Sequence, residues 1–308
     1  MLLRRRAAAI GLVGVIALLA TGCLPGAGRQ WNGPAPIRTL VFKGLGAWWD
    51  VYDWSPTFTR GAAPMGLSDV DRLANSGVQT LYIQPSTYRH PALVLDEALI
   101  KRIIQRAHAR GMRVVGWYLP EFNDVGFDIK RMAAVAGLGV DGLGIDIEST
   151  ANPDIRVRTE NLMAEVKFLR LVFPDLAMAA IPVTPVIWEG LNRSWWPNFP
   201  YRELSKYMDA WMPMAYWSYR RNGSFPEWGD PYRYVAESVT RLRTLTGRPD
   251  LPVHPIGGEG TGMTQGDVDA MARAMADTGS IGGSVYDDNI TSRGLYPALG
   301  QFRRPLVK

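Results

Sequence analysis

From Thr39 onward, short apolar runs alternate with amphipathic stretches of helical period. The runs predict strands at 39–46, 78–84, 112–119, 139–147, 176–182, 209–216, 251–257 and 281–286. Their starts recur every 27 to 42 residues, the pitch of a strand followed by a crossover helix. Between them, Leu99, Ile100, Ile103, Ile104 and Ala107 form one stripe of a helix over 96–110, and Gly111 offers a left-handed stop. Asn152 before Pro153 reads as the start of a long helix running to Phe173. Thr264 with Asp267 caps another, which carries Val268, Met271, Ala272 and Met275. Eight such units predict an α/β protein, a single-domain (β/α)8 TIM barrel over residues 38–308. The competing architecture is a doubly wound open sheet. It is weakened because no glycine-rich phosphate loop follows the first run.

In such a barrel, chemistry gathers at the C-terminal ends of the strands. The polar residues there are Asp50, Asp53, Gln84, Glu121, Asp146, Glu148, Tyr216, Glu259, Asp287 and Asp288. Carboxylates dominate, and no Ser–His or Cys–His pairing suggests itself, which points to glycosidic bonds or a metal. Three scattered histidines and one cysteine give no metal-ligand spacing, so neither metal nor cofactor is expected. The fourth strand is the most informative. Alternation puts Leu143, Ile145 and Ile147 on the helix-facing side and Gly142, Gly144, Asp146 and Glu148 on the inner side. Two inward carboxylates two residues apart stand side by side at the barrel mouth. Partial burial and the like charge of Asp146 should raise the pKa of Glu148 and keep a proton ready for a departing sugar oxygen. The bland alternative is an ion-pair network in which both acids hold arginines.

Residues 140–148 (VDGLGIDIE) resemble the fourth-strand signature of glycoside hydrolase family 18, the chitinase-like barrels, commonly DGxDxDxE. Asp141, Gly142, Asp146 and Glu148 match it, while Gly144 stands where the family has Asp. Residues 214–217 (MAYW) are similar to the family's MxYD, with Trp217 in place of Asp, and Tyr286 stands where a Trp is common. The resemblance implies Glu148 as general acid and base. It implies that Asp146 and Tyr216 orient a substrate 2-acetamido group whose oxygen is the nucleophile. It also implies a polysaccharide or other glycan as partner and a site that includes Met214, Trp217, Tyr286 and Asp287. A second mechanism stays open, in which Glu148 is acid/base and Glu259, at the end of the seventh strand, is the nucleophile of a retaining glycosidase. A third reading is a chitinase-like binding protein that has lost turnover at Gly144 and Trp217.

Eleven tryptophans are generous for a chain of 308 residues. Many fall in predicted loops above the strands: Trp48, Trp49, Trp54, Trp188, Trp195, Trp196 and Trp228, with Trp117 and Trp217 on strands. Flat rings with one polar handle suit pyranose faces, so Trp48, Trp49 and Trp117 are expected to contact sugar, with Gln84 and Glu121 binding hydroxyls.

The first 23 residues carry Arg4, Arg5 and Arg6, then an apolar stretch from Ala7 to Ala20, then Thr21-Gly22-Cys23. That layout is a secretory signal, too short for a spanning helix of about 20 residues. Residues 19–23 (LATGC) resemble a bacterial lipobox. This implies removal of residues 1–22, lipid on Cys23, a flexible tether over 23–37, and a protein exported and held to the outer face of an envelope membrane. The net charge of +5 shrinks to +2 (31 basic against 29 acidic) once those three arginines are set aside. No nucleic-acid partner is expected, and a monomer is.

Overall fold

The structure, a computed structural model, describes residues 33–221 and 223–304. The expected signal segment, Cys23 and the tether up to residue 32 lie outside the described residues. Eight parallel strands form one sheet: β1 (Gly44–Trp49), β2 (Thr80–Ile83), β3 (Arg113–Tyr118), β4 (Gly142–Ile147), β5 (Ala177–Pro182), β6 (Ala210–Trp211), β7 (Ile256–Glu259) and β8 (Gly282–Tyr286). The helices that follow them are α1 (Leu67–Asn75), α2 (Glu97–Ala109), α3 (Val125–Ala136), α4 (Ile155–Val172), α5 (Tyr201–Leu204), α6 (Pro231–Thr246), α7 (Gln265–Asp277) and α8 (Tyr296–Leu299). The strand order is β6-β5-β4-β3-β2-β1-β8-β7. The two ends of that order meet through parallel bridges at Trp211–Val253 and Met214–Ile256. Trp211 N donates to Pro252 O at 2.9 Å and Ala215 N to Ile256 O at 2.7 Å across the seam. The ring is closed, as a (β/α)8 barrel requires.

Alternation along the strands builds two cores. Leu45, Ala47 and Trp49 face outward and pack with Val70 and Leu73 of α1 and Ile100, Ile103 and Ile104 of α2. Leu143, Ile145 and Ile147 pack with Leu162, Val166 and Leu169 of α4. The opposite set, including Trp48, Tyr82 and Trp117, fills the barrel axis.

Several boundaries differ from the sequence expectation. The first strand starts later than residue 39 and runs on past 46: Pro36–Thr39 is a helical turn, Leu40–Phe42 a 3-10 turn, and pairing starts at Gly44, whose φ is +88°. Residues 39–43 plug the lower end of the barrel instead. Phe42 is fully buried, its carbonyl accepts from His254 Nδ1 at 2.7 Å, and Lys43 O accepts from Arg113 Nη2 at 2.6 Å. β6 and β7 are shorter than expected because Pro213, Pro252 and Pro255 cannot donate to the ladder. α4 is capped by Asp154, which accepts from Arg156 N and Val157 N, not by Asn152. Asn152 instead donates to Phe122 O at 2.9 Å and steadies the turn before the helix. The Thr264–Asp267 capping box is present as expected.

Candidate active site

The C-terminal face of the barrel opens into a cavity of ≈ 420 Å³. β4 delivers Asp146 and Glu148 to its wall on the inner side of the pleat. Asp146 is buried, and its Oδ1 has no hydrogen-bond partner among the described residues. Glu148 is half-buried, and its carbonyl accepts from Trp195 Nε1 at 3.1 Å. Among the described residues neither carboxylate holds a guanidinium or ammonium, so the ion-pair alternative is not what these acids do. Burial pushes the Asp146 carboxyl well above the ordinary carboxylate range, and the neighbouring Glu148 charge adds to it. Burial also raises Glu148. Tyr216 lines the same cavity, and burial together with the charges of Asp146 and Glu148 holds its phenol protonated.

Aromatic rings form the floor and the far wall. Trp48 stacks on Tyr82 with centroids 4.4 Å apart and meets Trp117 edge-on at 6.0 Å. Trp48 Nε1 donates to Ser284 Oγ at 2.8 Å, whereas Trp117 Nε1 is buried without an acceptor. Tyr286 lies 6.0 Å from the Tyr216 ring and donates to Asp50 Oδ2 at 3.1 Å. Gln84 and Met214 also line the cavity, and Gln84 Oε1 accepts from Val51 N at 3.3 Å.

The cavity therefore gathers Asp146, Glu148, Tyr216, Trp48, Trp117, Gln84, Met214 and Tyr286. It does not gather the remaining expected site residues. Trp49 sits next to Trp48 on a pleated strand and so points to the outer core, where its Nε1 donates to Asp288 Oδ2 at 2.9 Å. Trp217 is buried against Gly257 and Gly258; a Cβ on either would come within 2.8 Å of its indole. It contributes nothing to the pocket floor. Glu121 lies beyond β3, where the chain turns at Phe122 (φ +58°), outside the cavity lining. Asp287, just after β8, is outside the lining and accepts from Ile290 N at 3.1 Å. Glu259 is outside the lining too, and its Oε1 accepts from Tyr219 OH at 2.8 Å. Most loop tryptophans are also packing residues: Trp54, Trp188 and Trp196 are fully buried, and Trp188 and Trp196 cluster with Phe199.

Trp195, one of the loop tryptophans expected above the strands, reaches the wall from the loop after β5. Three features went unanticipated: Arg89, Arg220 and a carboxylate cluster. Arg89 and Arg220 line the mouth, in loops whose course no periodicity announces. Asp50, Asp53 and Asp287 bring carboxylate oxygens within 4.8 Å of one another, a set able to hold a cation. Burial foremost, then the Asp287 and Asp50 charges, push Asp53 up to about 8. Two of these acids come from the loop after β1 and one from just after β8, strands paired in space although far apart in sequence, Gly44 pairing with Gly282.

No family model matches the chain, and no curated protein matches it by sequence. Solved structures do match it. A class V chitinase from Pseudomonas fluorescens Pf-5 superimposes with a TM-score of 0.60 at 10% identity, over 84% of this chain and 99% of that one. A family GH18 chitinase from Cycas revoluta, in complex with allosamidin, gives 0.59 at 12%, over 84% and 98%. The spore cortex-lytic enzyme SleL of Bacillus cereus gives 0.59 at 10%, over 85% and 75%. The fold is a GH18-like TIM barrel.

Proposed function

We propose that this chain is a glycoside hydrolase in which Glu148 is the general acid and base. The observation that carries the reading is the Asp146–Glu148 pair: two acids without cationic partners among the described residues, one buried and one half-buried, at one wall of an open aromatic cavity in a GH18-like barrel. Burial of both acids favours one proton shared by the pair, and the form in which Glu148 holds it and Asp146 is ionised passes that proton to the glycosidic oxygen as the bond breaks. Asp146 and Tyr216 border the space where a 2-acetamido group would fold back onto the anomeric carbon. Asp146 then steadies the developing positive charge, and Tyr216 donates to the attacking oxygen. The water that finishes the reaction gives its proton to the Glu148 carboxylate, which restores the starting state.

The chitinase names and the allosamidin complex among the structural neighbours support an N-acetylhexosamine-containing glycan as the substrate. Glu259 is the weaker nucleophile, because Tyr219 occupies it outside the cavity. Glu148→Gln is expected to lower kcat on an N-acetylglucosamine oligosaccharide by at least about 10²-fold while the Kd stays within a few-fold. Turnover persisting in that variant would remove Glu148 from the role. Glu259→Ala is expected to leave kcat within a few-fold, and a collapse would revive the seventh-strand nucleophile.

The lipobox-like residues 19–23 support export and a lipid anchor on Cys23. Cys23→Ser is expected to abolish incorporation of a labelled fatty acid and move the protein out of the membrane fraction.

A further inference from the structure

Two tyrosine–arginine pairs border the cavity, Tyr88–Arg89 in the loop after β2 and Tyr219–Arg220 in the turn after β6. β2 and β6 stand four places apart in a closed ring of eight strands, so the pairs occupy opposite sides of the mouth. Asp146 and Glu148, at the end of β4, stand midway between them in the ring. Among the described residues, neither arginine has a carboxylate at ion-pair distance. Arg89 donates to Tyr88 OH and Tyr52 OH, each at 3.1 Å, and its guanidinium lies 5.3 Å from the centre of the Tyr88 ring. These neutral partners fix the guanidinium plane and leave its charge uncompensated. Arg220 carries the sharper signal: its Nε–H is buried beside the cavity with no acceptor. An orphaned buried donor is costly unless something arrives to accept from it. The planar fork of arginine matches carboxylate and phosphate oxygens far better than sugar hydroxyls.

We propose that the substrate is an acidic glycan lying across the mouth from the β2 loop to the β6 turn, with an anionic group held by Arg220 on one side of the scissile bond and another by Arg89 on the other. The proposal rests on the hydrolase reading and narrows its substrate class from amino-sugar glycans in general to charged ones. The aromatic floor formed by Trp48 lies between the two cations and takes the uncharged body of the chain.

The test uses the full-length chain carrying Glu148→Gln, so that bound glycan persists, and reads affinity by calorimetry. The probes are peptidoglycan glycan strands bearing lactyl carboxylates, the same strands after carboxyl reduction, N-acetylglucosamine oligomers of matched length, and a phosphate-bearing polysaccharide. The anionic probes are expected to bind at least about tenfold tighter than the neutral ones, with the advantage shrinking as salt rises. Arg220→Gln and Arg89→Gln should each erode that advantage, and Arg89→Lys should keep part of it. Preference for the carboxylate strands or for the phosphate polymer identifies which anion is meant, and either supports the proposal. Equal affinity for the neutral probes and both anionic ones, a preference that survives both glutamine variants, or no binding to any probe overturns it. Turnover separates it from the reading beneath it. Glu148-dependent cleavage without any charge preference sinks the acidic substrate alone. Arginine-dependent binding that the wild-type chain never follows with cleavage sinks the hydrolase alone.

Discussion

Gly144 stands two residues before Asp146, where chitinase-like sequences carry a third acid. A Cβ built there falls 2.7 Å from Ile181 Cδ1 and 3.2 Å from Trp117 Cβ, so the inner wall is filled by its neighbours. The missing carboxylate is therefore replaced by packing, and restoring it alone would not restore a working triad. Gly144→Asp is expected to destabilise the barrel by about 1–3 kcal/mol, with no gain in kcat. Pairing it with Ile181→Ala should recover part of that loss in urea unfolding. Glu165 makes a second prediction. It is fully buried, both its oxygens lack partners among the described residues, and burial holds its carboxyl well above the ordinary range. The unfolded chain releases this proton above about pH 4.3 and the folded chain keeps it, so stability falls as pH rises from there, by up to about 1.4 kcal/mol per unit. Glu165→Gln removes that linkage. Its advantage over the wild type should be absent near pH ~4 and grow toward pH ~7 in urea titrations; a constant difference would contradict it. At this scale, period-two alternation makes Asp146 and Glu148 legible in the sequence. The same rule separates Trp48 from Trp49, because neighbours on one strand cannot both face the axis. Trp217 escapes it, since two glycines on β7 leave the space that the indole fills.

Among the elements, β4, α2 and α7 lie where periodicity and capping chemistry put them, within a few residues. The failures have local causes. Thr39 to Phe42 is an apolar run too short for its period to distinguish a strand from a plug, and Gly44 at positive φ delays the ladder. Asn152 and Asp154 are both good helix caps, and choosing between them needs the partner, Phe122 O, that draws Asn152 away. Asp154→Ala is expected to cost about 1 kcal/mol through loss of its two backbone bonds, read as a shift in the denaturation midpoint at constant slope. The loops after β2 and β6, which bring Arg89 and Arg220 to the cavity, carry no pattern of their own. Their course is set by the barrel beneath them.

At the scale of the whole molecule, the β6–β7 seam is the least paired part of the ring, and its lower end is held by ionic contacts. Asp209, fully buried just before β6, accepts from Arg170 of α4 at 2.9 Å, from Arg38 at 2.9 Å and from Met178 N of β5 at 3.0 Å. Arg38 belongs to the helical turn Pro36–Thr39, so the segment entering the barrel is clasped to the strand next to the seam. Asp209→Ala takes one carboxylate acceptor from the buried Arg170, which keeps its bonds to Tyr207 O and Leu176 O, and is expected to cost about 1.5–3 kcal/mol, measurable as a fall in Tm and earlier hydrogen exchange in β6.

Trp48 has already committed its one N–H to Ser284, which His254 Nε2 meets at 3.0 Å. A pyranose resting on that indole is judged by flatness: rings with equatorial substituents on the underside settle flush, and a single axial oxygen props the ring up. On the proposed hydrolase reading, discrimination between epimers at the cavity floor thus comes from clearance, and hydroxyl counting is left to the groups around the ring's edge.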